Sequence, residues 1–109
     1  LRVSCTCVRV PVLRCHSESI YLETEAFLSL DEVRQALEEA EGVLLNEQPY
    51  PTPLDCTDQD LVEVGRLRRD LTCEKGIALW CCGDQLRKGA ATNAVEIVRE
   101  WWKSVQSSN

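Results

Sequence analysis

The sequence contains no methionine, a single histidine and a single phenylalanine, and its acidic residues outnumber its basic ones. The 12 Lys and Arg residues face 18 Asp and Glu residues, so the formal net charge is −6. Because phosphate binding needs a basic footprint, this balance argues against nucleic acid as the main partner. No apolar run approaches the roughly 20 residues of a membrane span, and no secretory signal opens the chain. These absences predict a cytoplasmic protein, or a plastid protein in a plant.

The seven cysteines lack the pattern of a disulfide scaffold or a zinc site, because their number is odd and no Cys-x-x-Cys motif occurs. Cys5 and Cys7 would point the same way on a strand but lie about 7 Å apart. Cys81 and Cys82 would face opposite sides. We therefore expect reduced, mostly buried thiols and no bound metal. A thiol-based redox or metal module is a competing interpretation, which the metal content of the protein would decide.

The length of 109 residues suits one domain. Strand patterns occur at residues 3–13, 18–25, 43–45, 61–68 and 77–83. The pattern of residues 3–13 predicts a buried strand that ends near Pro11. Residues 18–25 alternate like a half-exposed strand, whereas residues 77–83 are nearly all apolar and should be buried on both faces. Three prolines between residues 49 and 53 predict an extended loop.

Two helices are expected. Ser29 and Glu32 form a capping box before a helical apolar pattern, and Gly42 would cap its carboxyl end. A second helix should cover residues 86–105, with an apolar surface too wide for one neighbour. The order of strand, strand, helix, strands and helix predicts an α+β fold. Its sheet would be mixed and mostly antiparallel, with one covering amphipathic helix and a long carboxyl-terminal helix.

His16 is the residue most suited to chemistry, since only histidine titrates near neutral pH without help. It follows an apolar strand at a strand-to-strand corner, where functional sites are common. The positive charge of Arg14 would disfavour the imidazolium and so help to keep a neutral base. Cys15 should point away from His16, because neighbours on an extended chain face opposite sides. Any nucleophile served by His16 should therefore come from elsewhere.

Arg9 lies seven residues before His16, an odd separation that puts the two on opposite faces of a straight strand. A break at Pro11 would bring both to one site, where Arg9 would grip a carboxylate with two prongs. Otherwise Arg9 would form a salt bridge at a strand edge. After the last strand, Asp84 is a good N-cap, and the helix start that follows would accept an anionic group. Its small residues would serve tight helix packing equally well.

Five segments together resemble one enzyme family. Residues 7–18 (CVRVPVLRCHSE) strongly resemble the substrate-arginine and catalytic-histidine segment of aspartate-semialdehyde dehydrogenases. Residues 50–55 (YPTPLD) resemble the family's proline loop. Residues 64–70, 79–80 and 83–95 are similar to its carboxyl-terminal strands and closing helix. The resemblance runs in order from about residue 2 to residue 102.

The resemblance implies a two-domain enzyme that reduces aspartyl phosphate to aspartate semialdehyde with NADPH, on the route to lysine, threonine and methionine. In that family His16 would match the acid/base histidine and Arg9 the arginine that binds the substrate carboxylate. Gln85 would match a polar residue near the cofactor NADP. Residues 1–85 would belong to the catalytic and dimerisation domain of a homodimer. Residues 86–109 would form a closing helix that packs on a dinucleotide-binding domain.

Two parts of such an enzyme are absent from the sequence. No Gly-x-Gly-x-x-Gly fingerprint occurs, and none of the cysteines lies in the family's Asn-Cys-Thr nucleophile segment. We therefore expect a truncated enzyme, the carboxyl-terminal third, which needs the missing amino-terminal half as its partner. The alternative is a non-catalytic dimerisation or regulatory remnant of the family. A gene that continues upstream into a dinucleotide-binding half would favour the enzyme.

Overall fold

A computed structural model describes residues 1–107 of the chain. Its regular elements, in chain order, are β1 (His16–Glu23), α1 (Leu30–Glu39), β2 (Val43–Leu45), β3 (Val62–Arg69), β4 (Gly76–Gly83), a π-helical turn (Arg87–Ala91) and α2 (Thr92–Ser107). Residues 108 and 109, the last two of the predicted closing helix, lie outside this description. The predicted short strand at residues 43–45 is confirmed, and three other strands lie within two residues of their predicted bounds.

The four strands form one sheet in the order β1-β4-β3-β2. The central strand β4 pairs antiparallel with β1 and with β3, whereas β2 and β3 pair in parallel. The predicted α+β fold with a mixed, mostly antiparallel sheet is therefore confirmed. The register places His16 opposite Gly83 and Glu23 opposite Gly76, so β1 and β4 pair along their whole length.

Strand β4 is covered on both faces, as its apolar composition predicts. On one face Ile77 and Leu79 pack with Val64 and Leu67 in the main core, which α1 covers. Successive strand residues point to opposite sides, so Trp80 faces the other way, and its indole N–H donates to the carbonyl of Pro51 at 3.0 Å. The extended loop that carries the three clustered prolines thus covers the second face of the sheet.

Helix α1 begins at the predicted capping box. The Glu32 N–H donates to the Ser29 hydroxyl at 3.2 Å, and the Ser29 N–H donates to the Glu32 carboxylate at 2.7 Å. These bonds to Ser29 lower the pKa of Glu32. The prediction that Gly42 caps the helix is wrong, because Ala40 is the C-cap. Gly42 instead takes the left-handed turn that follows, with φ of +81°, which glycine adopts without a side-chain clash.

The predicted buried strand at residues 3–13 is wrong. These residues have no regular secondary structure, and their side chains are exposed, with Val3 at 81%. Their apolar pattern shows only that these side chains could be buried. A buried strand also needs a surface that covers it and a strand edge with which it can pair. No strand in the described part of the chain pairs with this segment.

The last helix also differs from its prediction at the start. Residues 87–91 form a π-helical turn, and the α-helix begins only at Thr92. In this turn the Gly89 N–H donates to the carbonyl of Asp84 at 2.9 Å, a bond that spans five residues. No residue of α2 is buried, as expected for a wide apolar surface that lacks a neighbour. No helix within residues 1–107 is both long and apolar enough to cross a membrane.

Candidate functional site

His16 is the first residue of β1, and its side chain is exposed. It lies opposite Gly83, the last residue of the buried central strand. The predicted position in a corner between two strands is wrong, because the segment before His16 is not a strand. The imidazole nevertheless lies at the end of the sheet from which the last helix departs, so the residues after Gly83 lie beside the residues before His16.

Gln85 is tied to the residue that precedes His16. The backbone N–H of Cys15 donates to the Gln85 amide oxygen at 2.7 Å. This bond leaves the Gln85 NH₂ group as the free end of the side chain, with no hydrogen-bond partner within residues 1–107. Gln85, predicted to lie near the cofactor, is therefore held against the backbone that precedes His16.

Asp84 is a fully buried carboxylate that organises the start of the last helix. Its side chain accepts the N–H groups of Leu86 at 2.9 Å, Arg87 at 3.2 Å and Asp58 at 2.8 Å. Burial alone would raise the pKa of Asp84, but its hydrogen bonds, including the one from Arg14, outweigh burial and hold the pKa at about 2. The predicted capping by Asp84 is therefore performed by its carboxylate, although the turn formally begins after Leu86.

Arg14 binds two carboxylates. One terminal nitrogen lies 2.7 Å from the Asp84 oxygen Oδ2 and the other lies 2.9 Å from the Asp58 oxygen Oδ1. The hydrogen bond to Asp84 raises the pKa of Arg14. The prediction that the charge of Arg14 acts on His16 does not fit this geometry, because two adjacent carboxylates balance that charge. Sequence reasoning missed this network, since nothing in the spacing of residues 14, 58 and 84 indicates that they meet.

As predicted, Cys15 does not form a pair with His16. Its side chain is buried with Cys56 and Cys82 in a small thiol cluster on the face of β4 opposite the main core. Burial raises the pKa of Cys15 and of Cys56, so both thiols stay protonated. The expectation of mostly buried thiols is wrong, because only these three of the seven are buried, whereas Cys73 and Cys81 are partly buried and Cys5 and Cys7 are exposed. Residues 1–107 contain no group of three or more side chains placed to hold a metal ion.

Arg9 lies in the exposed segment that precedes the sheet. The chain bends at Pro11, where the Val12 N–H donates to the carbonyl of Val10 at 2.9 Å, so Arg9 and His16 do not share one straight strand. The structure does not bring them together, however. Among the described residues Arg9 forms no hydrogen bond or salt bridge, which leaves its guanidinium group available to a ligand or to another part of the protein.

Residues 2–88 match the family described as semialdehyde dehydrogenase, dimerisation domain. The chain is 48% identical over 101 residues to aspartate-semialdehyde dehydrogenases of Prochlorococcus marinus and Aquifex aeolicus, covering 89% of this chain but 29% and 30% of those proteins. It thus spans about 30% of the length of these relatives. Aspartate semialdehyde dehydrogenase II of Vibrio cholerae, solved in complex with ASA, superposes with a TM-score of 0.82 at 44% identity, over 86% of this chain and 29% of that one. A probable aspartate-semialdehyde dehydrogenase of Pseudomonas aeruginosa gives 0.77 at 33% identity, over 85% and 28%.

Proposed function

Because this chain belongs to the semialdehyde dehydrogenase family, in which residues 2–88 correspond to the dimerisation domain, we propose that it works as the carboxyl-terminal part of a two-domain aspartate-semialdehyde dehydrogenase. The proposed reaction is the NADPH-dependent reduction of aspartyl phosphate to aspartate semialdehyde in the synthesis of lysine, threonine and methionine. The observation that carries this proposal is the 48% identity to enzymes of that name across 89% of the chain. The chain would act in the cytoplasm, as part of a homodimer.

In this proposal His16 is the acid/base residue. Histidine exchanges protons near neutral pH, and a general acid or base must reach the reacting group. The exposed imidazole at the first position of β1 meets that requirement, because neither the sheet nor a neighbouring side chain covers it. His16 would hold and transfer a proton, while the nucleophile would come from the amino-terminal half.

Arg9 would bind the carboxylate of the substrate. A guanidinium group gives two parallel hydrogen bonds to a carboxylate, which fixes its orientation as well as its position. The unpaired state of Arg9 among the described residues supports this role. Since residues 1–13 lie exposed beside the sheet, the rest of the enzyme would have to hold this segment around the substrate.

Gln85 is the contact that this chain would offer to NADP, through its free NH₂ group. The sequence has no Gly-x-Gly-x-x-Gly segment for the cofactor's phosphates, so most of that binding site would belong to the amino-terminal half. The cofactor supplies a hydride when bound. The chain alone should therefore be inactive, since it lacks both the main cofactor site and the nucleophile.

A non-catalytic dimerisation or regulatory remnant of the family is the second candidate. It is favoured by the family description that residues 2–88 match, which is that of a dimerisation domain. The two candidates differ in what lies upstream. The natural gene of an enzyme would continue into a dinucleotide-binding half, and its product would turn over substrate.

The test is His16→Ala in the complete enzyme that contains this chain, with Ser19→Ala as the control. Ser19 is exposed on the same strand, three residues further along. Loss of a general acid or base should lower kcat by about 10²–10⁴-fold, and His16→Asn should do little better, because asparagine cannot move the proton. Near-normal kcat in both His16 variants would make His16 structural and would contradict the proposal.

A further inference from the structure

The two residues before His16 are tied to the two residues after β4. The Arg14 guanidinium binds the Asp84 carboxylate at 2.7 Å, and the Cys15 N–H binds the Gln85 amide oxygen at 2.7 Å. The ladder between β1 and β4 ends at His16 and Gly83. Side chains therefore continue the connection between the two segments beyond the point where the backbone ladder stops.

Asp84 is a fixed anchor for this connection. Three backbone N–H groups, from residues 58, 86 and 87, bind its buried carboxylate, so its position is set by the start of the last helix and by the loop between β2 and β3 together. Arg14 also reaches Asp58 at 2.9 Å. The guanidinium therefore forms ion pairs with two carboxylates, and a planar group bound at both terminal nitrogens cannot rotate freely.

The backbone at Cys15 makes this restraint necessary. Its φ of +78° lies in the left-handed region, which is costly for a residue with a side chain. Such a conformation persists only where the surroundings hold it. Here the restraints are the bond to Gln85, the burial of the thiol with Cys56 and Cys82, and the pair formed by the preceding Arg14. Loss of that pair removes one of these three restraints, and any relaxation of residue 15 would move His16 with it.

We propose that Arg14 and Asp84 are positioning residues, which hold the backbone next to His16 so that the exposed imidazole keeps its place at the end of the sheet. This inference rests on the function proposed above for His16. Displacement of an acid/base group by about 1 Å lowers the rate of a step without weakening substrate binding equally. The expected signature is therefore a fall in kcat rather than a rise in KM.

The test uses Asp84→Asn in the complete enzyme, with Asp60→Asn as the matched control. Asparagine at position 84 places an NH₂ group where the native carboxylate accepts from a neighbouring N–H group or from Arg14. Asp60 instead binds Arg87, at 2.6 and 2.8 Å, and has no bond to Arg14 or to Cys15 among the described residues. Asp84→Asn should lower kcat by about 10- to 100-fold with KM changed less than about two-fold. Exchange of the Cys15 amide hydrogen should quicken by about 10-fold or more. Asp60→Asn should leave kcat and this exchange unchanged.

Arg14 gives the second test, which applies even if Asp84→Asn fails to fold. Arg14→Gln should lower kcat in the same way, and Arg14→Lys should recover part of the loss, because lysine keeps one charged contact but not the two-point grip. Folded Arg14→Gln and Arg14→Lys variants with normal kcat would overturn the positioning role. If instead His16→Ala keeps normal kcat, the proposed function of His16 fails, and the positioning proposal falls with it.

Discussion

Two parts of this chain both carry many apolar residues, but only one part buries them. Between residues 14 and 85 the strands, α1 and the proline loop bury a common core, in which Ile77 is 1% exposed. In residues 1–13 and in α2 the apolar side chains lie on the surface, with Ile97 at 61% and Trp101 at 62%. The difference is the presence of a partner surface within the chain. Apolar patterning shows which residues can be buried, and topology decides which of them are.

An exposed apolar surface of this kind marks a site of association. The family description as a dimerisation domain agrees with that interpretation for residues 2–88. Helix α2 lies outside that match, which suits its proposed contact with another domain. The packed part, residues 14–85, would then hold His16 in place. The two exposed segments, residues 1–13 and α2, would be covered only in the assembled enzyme.

The same substitution made in both regions should have very different effects on stability. Ile77→Ala removes a core side chain and should lower the free energy of unfolding by about 2–5 kcal/mol. Ile97→Ala, on exposed α2, should change it by less than about 0.5 kcal/mol. Denaturant unfolding of the two variants at low protein concentration measures both values. Equal losses would mean that α2 is packed in this chain, and the division into two regions would be wrong.

A second matched pair concerns glycine. A Cβ at Gly65 would lie 2.5 Å from the carbonyl oxygen of Asn46 and 2.7 Å from Cδ of Pro51. Gly65→Ala should therefore force the proline loop away from β3, at a cost of about 1–3 kcal/mol. At Gly89 the nearest atoms are 3.5 Å or more away, so Gly89→Ala should be neutral or slightly stabilising. A tolerated alanine at position 65 would show that the loop does not pack tightly on the sheet.

The packed region is the part whose elements the sequence predicted well. The capping box of Ser29 and Glu32 specifies a helix start from local chemistry alone, and the apolar run of residues 77–83 identifies a strand covered on both faces. The pattern at residues 3–13 misled, because alternation carries no information about whether a partner strand exists. The π-helical turn at residues 87–91 was also missed, since it depends on where the buried Asp84 carboxylate lies.

The candidate site was predicted only in part. His16 and Gln85 were identified through resemblance, and the structure places both at one end of the sheet, with Cys15 between them. The Arg14 network was not predicted, because residues 14, 58 and 84 meet only after the sheet and the proline loop have formed. Arg9 remains a prediction, as it lies in the region that has no partner within the chain.

Acid should weaken the packed region through Asp84, with a smaller effect than the core substitution. The pKa of this carboxyl is about 2 in the folded chain against an ordinary value of 3.8. A lowered pKa stabilises the fold above pH 3.8, and that contribution is lost as the pH falls toward 2. The Tm should therefore drop between pH 4 and pH 2, and it should drop less steeply in Asp84→Asn. An identical slope in both proteins would show that folding does not lower the pKa of Asp84.

The most direct test of the two-region account is hydrogen exchange along the chain, alone and after addition of a separately produced amino-terminal half of a related enzyme. In the dilute isolated chain, amides of β1, β3 and β4 should be protected, whereas residues 3–13 should exchange freely and α2 should be only weakly protected. On addition of the amino-terminal half, protection should rise in residues 3–13 and in α2 and stay nearly constant in the sheet. The account would be contradicted by strong protection of residues 3–13 and α2 in a monomeric isolated chain. It would also be contradicted if their protection did not change on addition of the amino-terminal half.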